Sequence, residues 1–140
     1  MSKFDERTTD EAVDLYQTAN DIFDGLIKEV RELSKKKPDA ILNKGKVKII
    51  NRVLQDLQIV LAQEPEKKFL DLLDDEDLPQ TSDAVLVMVQ YESVLADFPR
   101  RYQRPVKVGP DKYGRPRTEK LWITESFDLE DFPYETQSET

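Results

Sequence analysis

Between Ala12 and Leu33 the apolar residues recur in alternating steps of four and three, through Ala12, Tyr16, Ala19, Phe23, Leu26, Val30 and Leu33. This is a heptad seam, and Leu15, Ile22 and Ile27 widen it into the stripe of a helix packed against more than one neighbour. Asp5, Glu6, Asp10, Glu11 and Asp14 crowd its start and Lys35, Lys36 and Lys37 its end, which suits the helix dipole at both termini. The pattern predicts a helix over about residues 9–36. Gly25 inside it costs about 1 kcal/mol relative to Ala, which implies a close helix crossing there. The seam also makes self-association through this first helix a possible mode of partnering.

Pro38 stops the first helix, and Asp39 is placed to cap a short turn running to Leu42. Ile50, Val53, Leu54, Leu57, Val60 and Leu61 then predict a second helix over about residues 46–63. Residues 66–73, with Phe69, Leu70, Leu72 and Leu73 apolar, read as a short third helix that runs into the acidic residues 74–77. Beyond Leu78-Pro79, Thr81, Ser82 and Asp83 offer a choice of N-cap. Residues 84–89 are apolar all round and could form a buried strand, but Tyr91, Val94, Leu95 and Phe98 continue at helical spacing. The expectation is a central helix over about residues 82–97, ended by Pro99. Phe23, Leu26, Leu57, Leu61, Met88, Leu95 and Phe98 are its expected shared core.

From Pro105 the texture changes. Val106-Lys107-Val108 and residues 118–124 have strand composition, and the stretch between them, from Gly109-Pro110 to Gly114, carries turn residues. An isolated hairpin is marginal in water, so Trp122, Val106, Val108 and Leu121 should pack on the helices or on a partner. After Thr124, Phe127, Leu129, Phe132 and Tyr134 interleave with acids, a composition expected of a disordered segment that folds on a partner. Removing residues 125–140 should on that reading leave the fold intact. The predicted class is mainly α: a small helical bundle of three long helices and one short over residues 1–104, a β-hairpin over 105–124, and an acidic tail over 125–140.

Composition narrows the chemistry. A length of 140 residues suits one domain, and no run approaches the ~18 uncharged apolar residues of a membrane helix. Residues 1–9 carry no apolar signal segment, so a soluble, cytoplasmic protein without a membrane partner is expected. With no Cys and no His, disulfides, thiolate chemistry, imidazole bases and the commonest zinc ligands are absent. The acidic run at residues 74–77 lacks the alternating ligands, central Gly and closing Glu of a calcium loop, and reads as a solvated helix end. The four glycines form no phosphate loop, and no acid interrupts an apolar face in a way that implies a perturbed carboxyl. No catalytic residue, metal or cofactor is expected, and a non-enzymatic role follows.

The charge distribution supplies the positive signal. Residues 1–97 hold 13 basic and 21 acidic side chains, residues 98–120 hold 8 and 2, and residues 121–140 hold none and 6. The middle stretch is thus +6 between pieces of −8 and −6. Its Arg100, Arg101, Arg104, Arg115 and Arg117, with Tyr113 and Trp122, are the residue types that dominate protein interfaces. They are the expected partner-binding residues, in a protein-interaction module acting as an adaptor or accessory subunit of a cytoplasmic complex. The same mixture of cations and aromatics, with Lys107, Lys112 and Lys120, also fits phosphate contact and base stacking. A nucleic-acid-associated factor using residues 100–120 is therefore the alternative, disfavoured by a pI near 4.7.

Overall fold

The apolar spacing folds as helices where it is longest: α1 spans Asp10–Lys36, α2 Lys44–Val60 and α3 Thr81–Tyr102. The computed structural model describes residues 2–137, and among these the fold is mainly α. A short α4 (Pro133–Gln137) and an antiparallel hairpin of β1 (Gln103–Lys107) and β2 (Thr118–Trp122) complete it. Two compact units result, one of residues 11–97 and one of residues 1–10 with 98–140. The division falls inside α3, where the sequence suggested residue 104. Residues 1–10 join the hairpin because Thr8 forms a parallel bridge with Thr124: its amide donates to the Ile123 carbonyl and its carbonyl accepts from Glu125.

In the helical unit, α1 buries Ala12, Val13, Ala19, Phe23, Ile27 and Val30, and α2 buries Val47, Ile50, Val53, Leu54, Leu57 and Val60. Met88, Tyr91 and Leu95 of α3 close the core. Ile27 takes the place expected for Leu26, which is half-buried at the edge of an apolar pocket of about 210 Å³ with Leu33, Leu42 and Ile49. Of the first-helix stripe, Ala12, Ala19, Phe23, Ile27 and Val30 are buried, Leu15, Tyr16, Leu26 and Leu33 are half-buried, and Ile22 is exposed. Gly25 marks no crossing: nothing lies within 4 Å of where a Cβ would stand.

Polar pins decide the rest of this unit. Asn43 caps α2 by accepting from the Lys46 amide at 2.8 Å, so that Gly45 lies inside the helix. The Thr81 hydroxyl, offered by the sequence as an N-cap, instead donates to the Lys37 and Pro38 carbonyls at 2.7 and 3.0 Å, just past α1. The expected third helix is only a 3-10 turn, Pro65–Phe69, followed by chain without regular secondary structure. Side chains satisfy the backbone there in a way a helix could not use. Asn51 holds Leu73 through both amide and carbonyl at 2.8 Å, Gln58 donates to the Leu70 carbonyl, and Gln90 pairs with Asp71. Leu70 and Leu73 are thereby buried, with Phe69 and Leu72 turned outward.

Pro99 does not end α3, which continues to Tyr102. A proline inside a helix costs about 3 kcal/mol, and burying two aromatic side chains returns roughly that much or more. Phe98 and Tyr102, four residues apart, are both buried with ring centroids 5.1 Å apart.

The C-terminal unit has its own small core, in which Phe4, Val106 and Ile123 are buried and Leu121, Phe127, Leu129 and Phe132 pack against them. Phe127 lies 5.2 Å from Phe4 and 5.4 Å, stacked, from Phe132. The tail read as disordered is therefore built in as far as residue 137, as a 3-10 turn at Leu129–Asp131 and then α4. The reason is that its interleaved aromatics meet the hairpin and the N-terminal segment of the same chain. Residues 138–140 of that tail lie outside the described residues. No helix among the described residues is long and apolar enough to cross a membrane.

The basic hairpin as candidate partner-binding surface

Strand register fixes which groups of the hairpin face outward. Gln103 pairs with Trp122, Pro105 with Lys120 and Lys107 with Thr118. The Ile123 amide donates to the Tyr102 carbonyl and the Val108 amide to the Arg117 carbonyl, which sets the phase of the ladder. In an antiparallel pair, hydrogen-bonded and non-hydrogen-bonded positions alternate. Arg104–Leu121 and Val106–Glu119 are therefore the bonded pairs, whereas Gln103, Pro105 and Lys107 and their partners Trp122, Lys120 and Thr118 turn their amides and carbonyls away from the ladder.

Period-two alternation also sorts the side chains. Val106 and Leu121 face the small core, while Pro105, Lys107, Thr118 and Lys120 are exposed on the opposite face. At the end of that open face Trp122 is half-buried, its ring centroid 5.5 Å from Phe98.

The connecting loop is organised by Asp111. Its carboxylate accepts from the Tyr113 amide at 2.8 Å and the Arg115 amide at 2.9 Å, and its own amide donates to the Arg115 carbonyl. Gly109 and Gly114 adopt φ of +112° and +77°, conformations that only glycine takes cheaply. The result is a tip on which Tyr113 is 70% exposed, with Lys112 Nζ 5.1 Å and Arg115 Cζ 5.4 Å from its ring centroid. Gly109 also lets Tyr134 approach: a Cβ there would stand 3.0 Å from Tyr134 Cε2. Tyr134 joins Lys107, Pro110, Pro116, Arg117 and Thr118 around a groove of about 460 Å³.

The expected binding residues thus fall into two groups. Tyr113, Arg115 and Arg117 are exposed on the loop, and Trp122 borders the open face. Arg100, exposed, and Arg101, half-buried, lie in the last turn of α3. Arg104 is different, since its guanidinium donates to the carbonyls of Lys3, Arg100 and Gln103. Its Nε and Nη1 donors are engaged within the chain, where they hold the root of the hairpin. Tyr134 was not legible as a site residue, because nothing in a tail sequence says that it folds back onto Gly109.

Glu135 is buried, and its carboxylate accepts from the Lys107 amide at 3.1 Å and from Lys3 Nζ at 3.3 Å. Burial pushes this carboxyl up, but the Lys107 amide and the Lys3 ammonium together outweigh it and hold the group below the ordinary glutamate value.

A second basic cleft of about 340 Å³ runs along α2 in the helical unit, lined by Lys44, Lys48, Asn51, Arg52 and Gln55 with Asp75. Its neighbour Asp74 is engaged in a turn, accepting from the amides of Glu76 and Asp77. Among the described residues no group of three or more carboxylates converges in a geometry that could hold a metal ion. Comparison with known proteins found no family model, no curated protein and no solved structure that matches this chain.

Proposed function

We propose that the protein is a non-catalytic interaction module, an adaptor or accessory subunit of a cytoplasmic complex, that binds an acidic protein partner through its basic hairpin. The observation that carries this reading is the open face and tip of the hairpin. Lys107, Lys112, Arg115, Arg117 and Lys120 are exposed there beside Tyr113 and Trp122, in a stretch of net charge +6. Aromatic anchors surrounded by cations supply affinity through burial, while the cations set orientation and association rate. Electrostatic steering by so local a patch selects acidic partners, and the negative remainder of the chain discourages extended nucleic acid.

The test is binding of an acidic peptide to the wild-type protein and to the double variant Arg115→Glu, Arg117→Glu, both of which are exposed and neither of which touches the small core. The wild type should bind with an affinity that falls as salt rises, and the double variant should lose most of it. Equal binding by both proteins would remove the loop from the account. The nucleic-acid reading is favoured by one observation, the exposed Tyr113 ring between two cations, which suits base stacking. It requires that a single-stranded oligonucleotide bind more tightly than the peptide, with the steep salt dependence of phosphate contacts.

A further inference from the structure

The two outer edges of the hairpin are treated differently by the rest of the chain. Along β1 each outward-facing residue has a main-chain group engaged by the rest of the chain. The Gln103 carbonyl accepts from Arg104, Pro105 has no amide hydrogen and its carbonyl accepts from Lys3 Nζ at 2.9 Å, and the Lys107 amide donates to Glu135. This is how proteins blunt an edge strand, with proline, charge and covering side chains. Along β2 the outward-facing positions are Trp122, Lys120 and Thr118, and the edge beyond Trp122 is formed by the amides and carbonyls of Thr118 and Lys120. Both residues are exposed, and no hydrogen bond to these groups occurs among the described residues.

We infer that the outer edge of β2 accepts an extended acidic peptide as a third strand. This rests on the acidic-partner reading above and specifies its mode. Strand addition supplies affinity through main-chain hydrogen bonds and specificity through alternate side chains. Here Thr118 and Lys120 each present one amide and one carbonyl outward, two residues apart, matching the repeat of an incoming strand. The occupant is acidic because the side chains on the open face beside that edge are Lys107 and Lys120, with Arg117 at the adjoining groove. A second copy of this chain fits less well. Two β2 strands paired antiparallel and centred on Lys120 would set the two lysines directly opposite, an unfavourable like-charge pair.

The register also supplies a clean perturbation. Lys120 lies opposite Pro105 at a non-hydrogen-bonded position, so Lys120→Pro removes no ladder bond but deletes the outward amide. A fluorescein-labelled peptide of alternating Glu and Val is the probe. Its affinity should fall about tenfold or more for Lys120→Pro, the loss expected when main-chain hydrogen bonds are removed. With the unaltered protein, the same peptide N-methylated at every residue, so that neither edge can donate, should bind as poorly, which keeps the test decisive even if the proline variant misfolds. Bound peptide should also slow hydrogen exchange at the Thr118 and Lys120 amides while leaving Glu119 and Leu121, which already donate within the hairpin, unchanged. Undiminished binding of the N-methylated peptide overturns the edge-strand mode. If Arg115→Glu, Arg117→Glu still abolishes that binding, the basic-surface reading survives alone. A wild-type protein that binds no acidic peptide at low salt, or prefers single-stranded oligonucleotide to it, overturns both.

Discussion

Replacing Tyr91 by Phe isolates one hydroxyl at the centre of the helical unit. The ring is fully buried, with its centroid 6.3 Å from that of Phe23. Its hydroxyl donates to the Asp71 carbonyl at 2.6 Å and accepts from Gln58 Nε2 at 3.2 Å, tying the irregular segment after the 3-10 turn to α2 and α3. The substitution keeps the ring and creates almost no cavity, so its cost is that of the hydrogen bonds. Gln58 retains the Leu70 carbonyl at 3.1 Å, and Asp71 is exposed enough for its carbonyl to rehydrate. The loss should therefore lie near the ordinary net value of about 1 kcal/mol per hydrogen bond, or roughly 1–2 kcal/mol in all. For a domain of this size that is a fall in Tm of roughly 2–6 °C.

The same hydroxyl carries a pH signature. Burial pushes its pKa up to about 12; the Gln58 hydrogen bond works against this and the Asp71 charge adds to it. The folded state thus holds the proton in a range where an unfolded tyrosine, at about 10, has lost it. The contribution is fully present below pH 10 and is lost as pH rises towards 12, at up to about 1.4 kcal/mol per pH unit. Urea denaturation of wild type and Tyr91→Phe between pH 9 and 12 should show the two curves converging. Tyr16, raised by burial and by Asp24 and Asp21, leaves a residual alkaline loss in both. If the variant equals wild type at neutral pH and keeps its full alkaline decline, the hydroxyl does not pin the segment.

Leu57 is 0% exposed on α2, so Leu57→Ala should cost about 2–5 kcal/mol and lower the urea midpoint strongly; an unchanged midpoint would mean that α2 buries a different face. Ending the chain after Thr124 removes Phe127, Leu129, Phe132 and Glu135 from the small core, so the truncated protein should lose dispersion of the hairpin methyl signals in NMR, whereas a native-like spectrum would restore the disordered tail. Because the Glu135 carboxyl is held below its ordinary value, its contribution is present above about pH 4.3 and is lost as acid protonates it. Hydrogen exchange at the Lys107 amide, relative to its intrinsic rate, should accelerate in that acid window and should already be fast at neutral pH in Glu135→Ala; a protected amide in that variant would contradict the pairing.

The long helices were legible because their apolar spacing is sustained over several turns, and the hairpin because Gly109 and Gly114 flank a loop between strand-like segments. The acidic tail was misread because composition reports whether a segment can fold alone, not whether Phe4 and Val106 wait elsewhere in the chain to receive Phe127 and Phe132. The third helix failed for a related reason. Asn51, Gln58 and Gln90 satisfy the backbone of residues 70–73 from other elements, overriding a local pattern that suits a helix. Pro99 is a third case, in which buried Phe98 and Tyr102 outweigh a local stop signal. Among the candidate binding residues, charge and aromatic content marked the right stretch, but only the register separates Arg104, engaged at the hairpin root, from Lys107 and Lys120 on the open face.

Trp122 is the only tryptophan in the chain, so its fluorescence reads the proposed binding face without a label. Titrating the unlabelled Glu-Val peptide into wild-type protein at low salt should shift Trp122 emission to shorter wavelength, saturably, as the exposed part of the ring is covered. Moderate salt should weaken the titration, and Arg115→Glu, Arg117→Glu should suppress it. Emission that stays constant while the peptide is shown to bind by anisotropy would place the partner elsewhere on the protein and contradict the account.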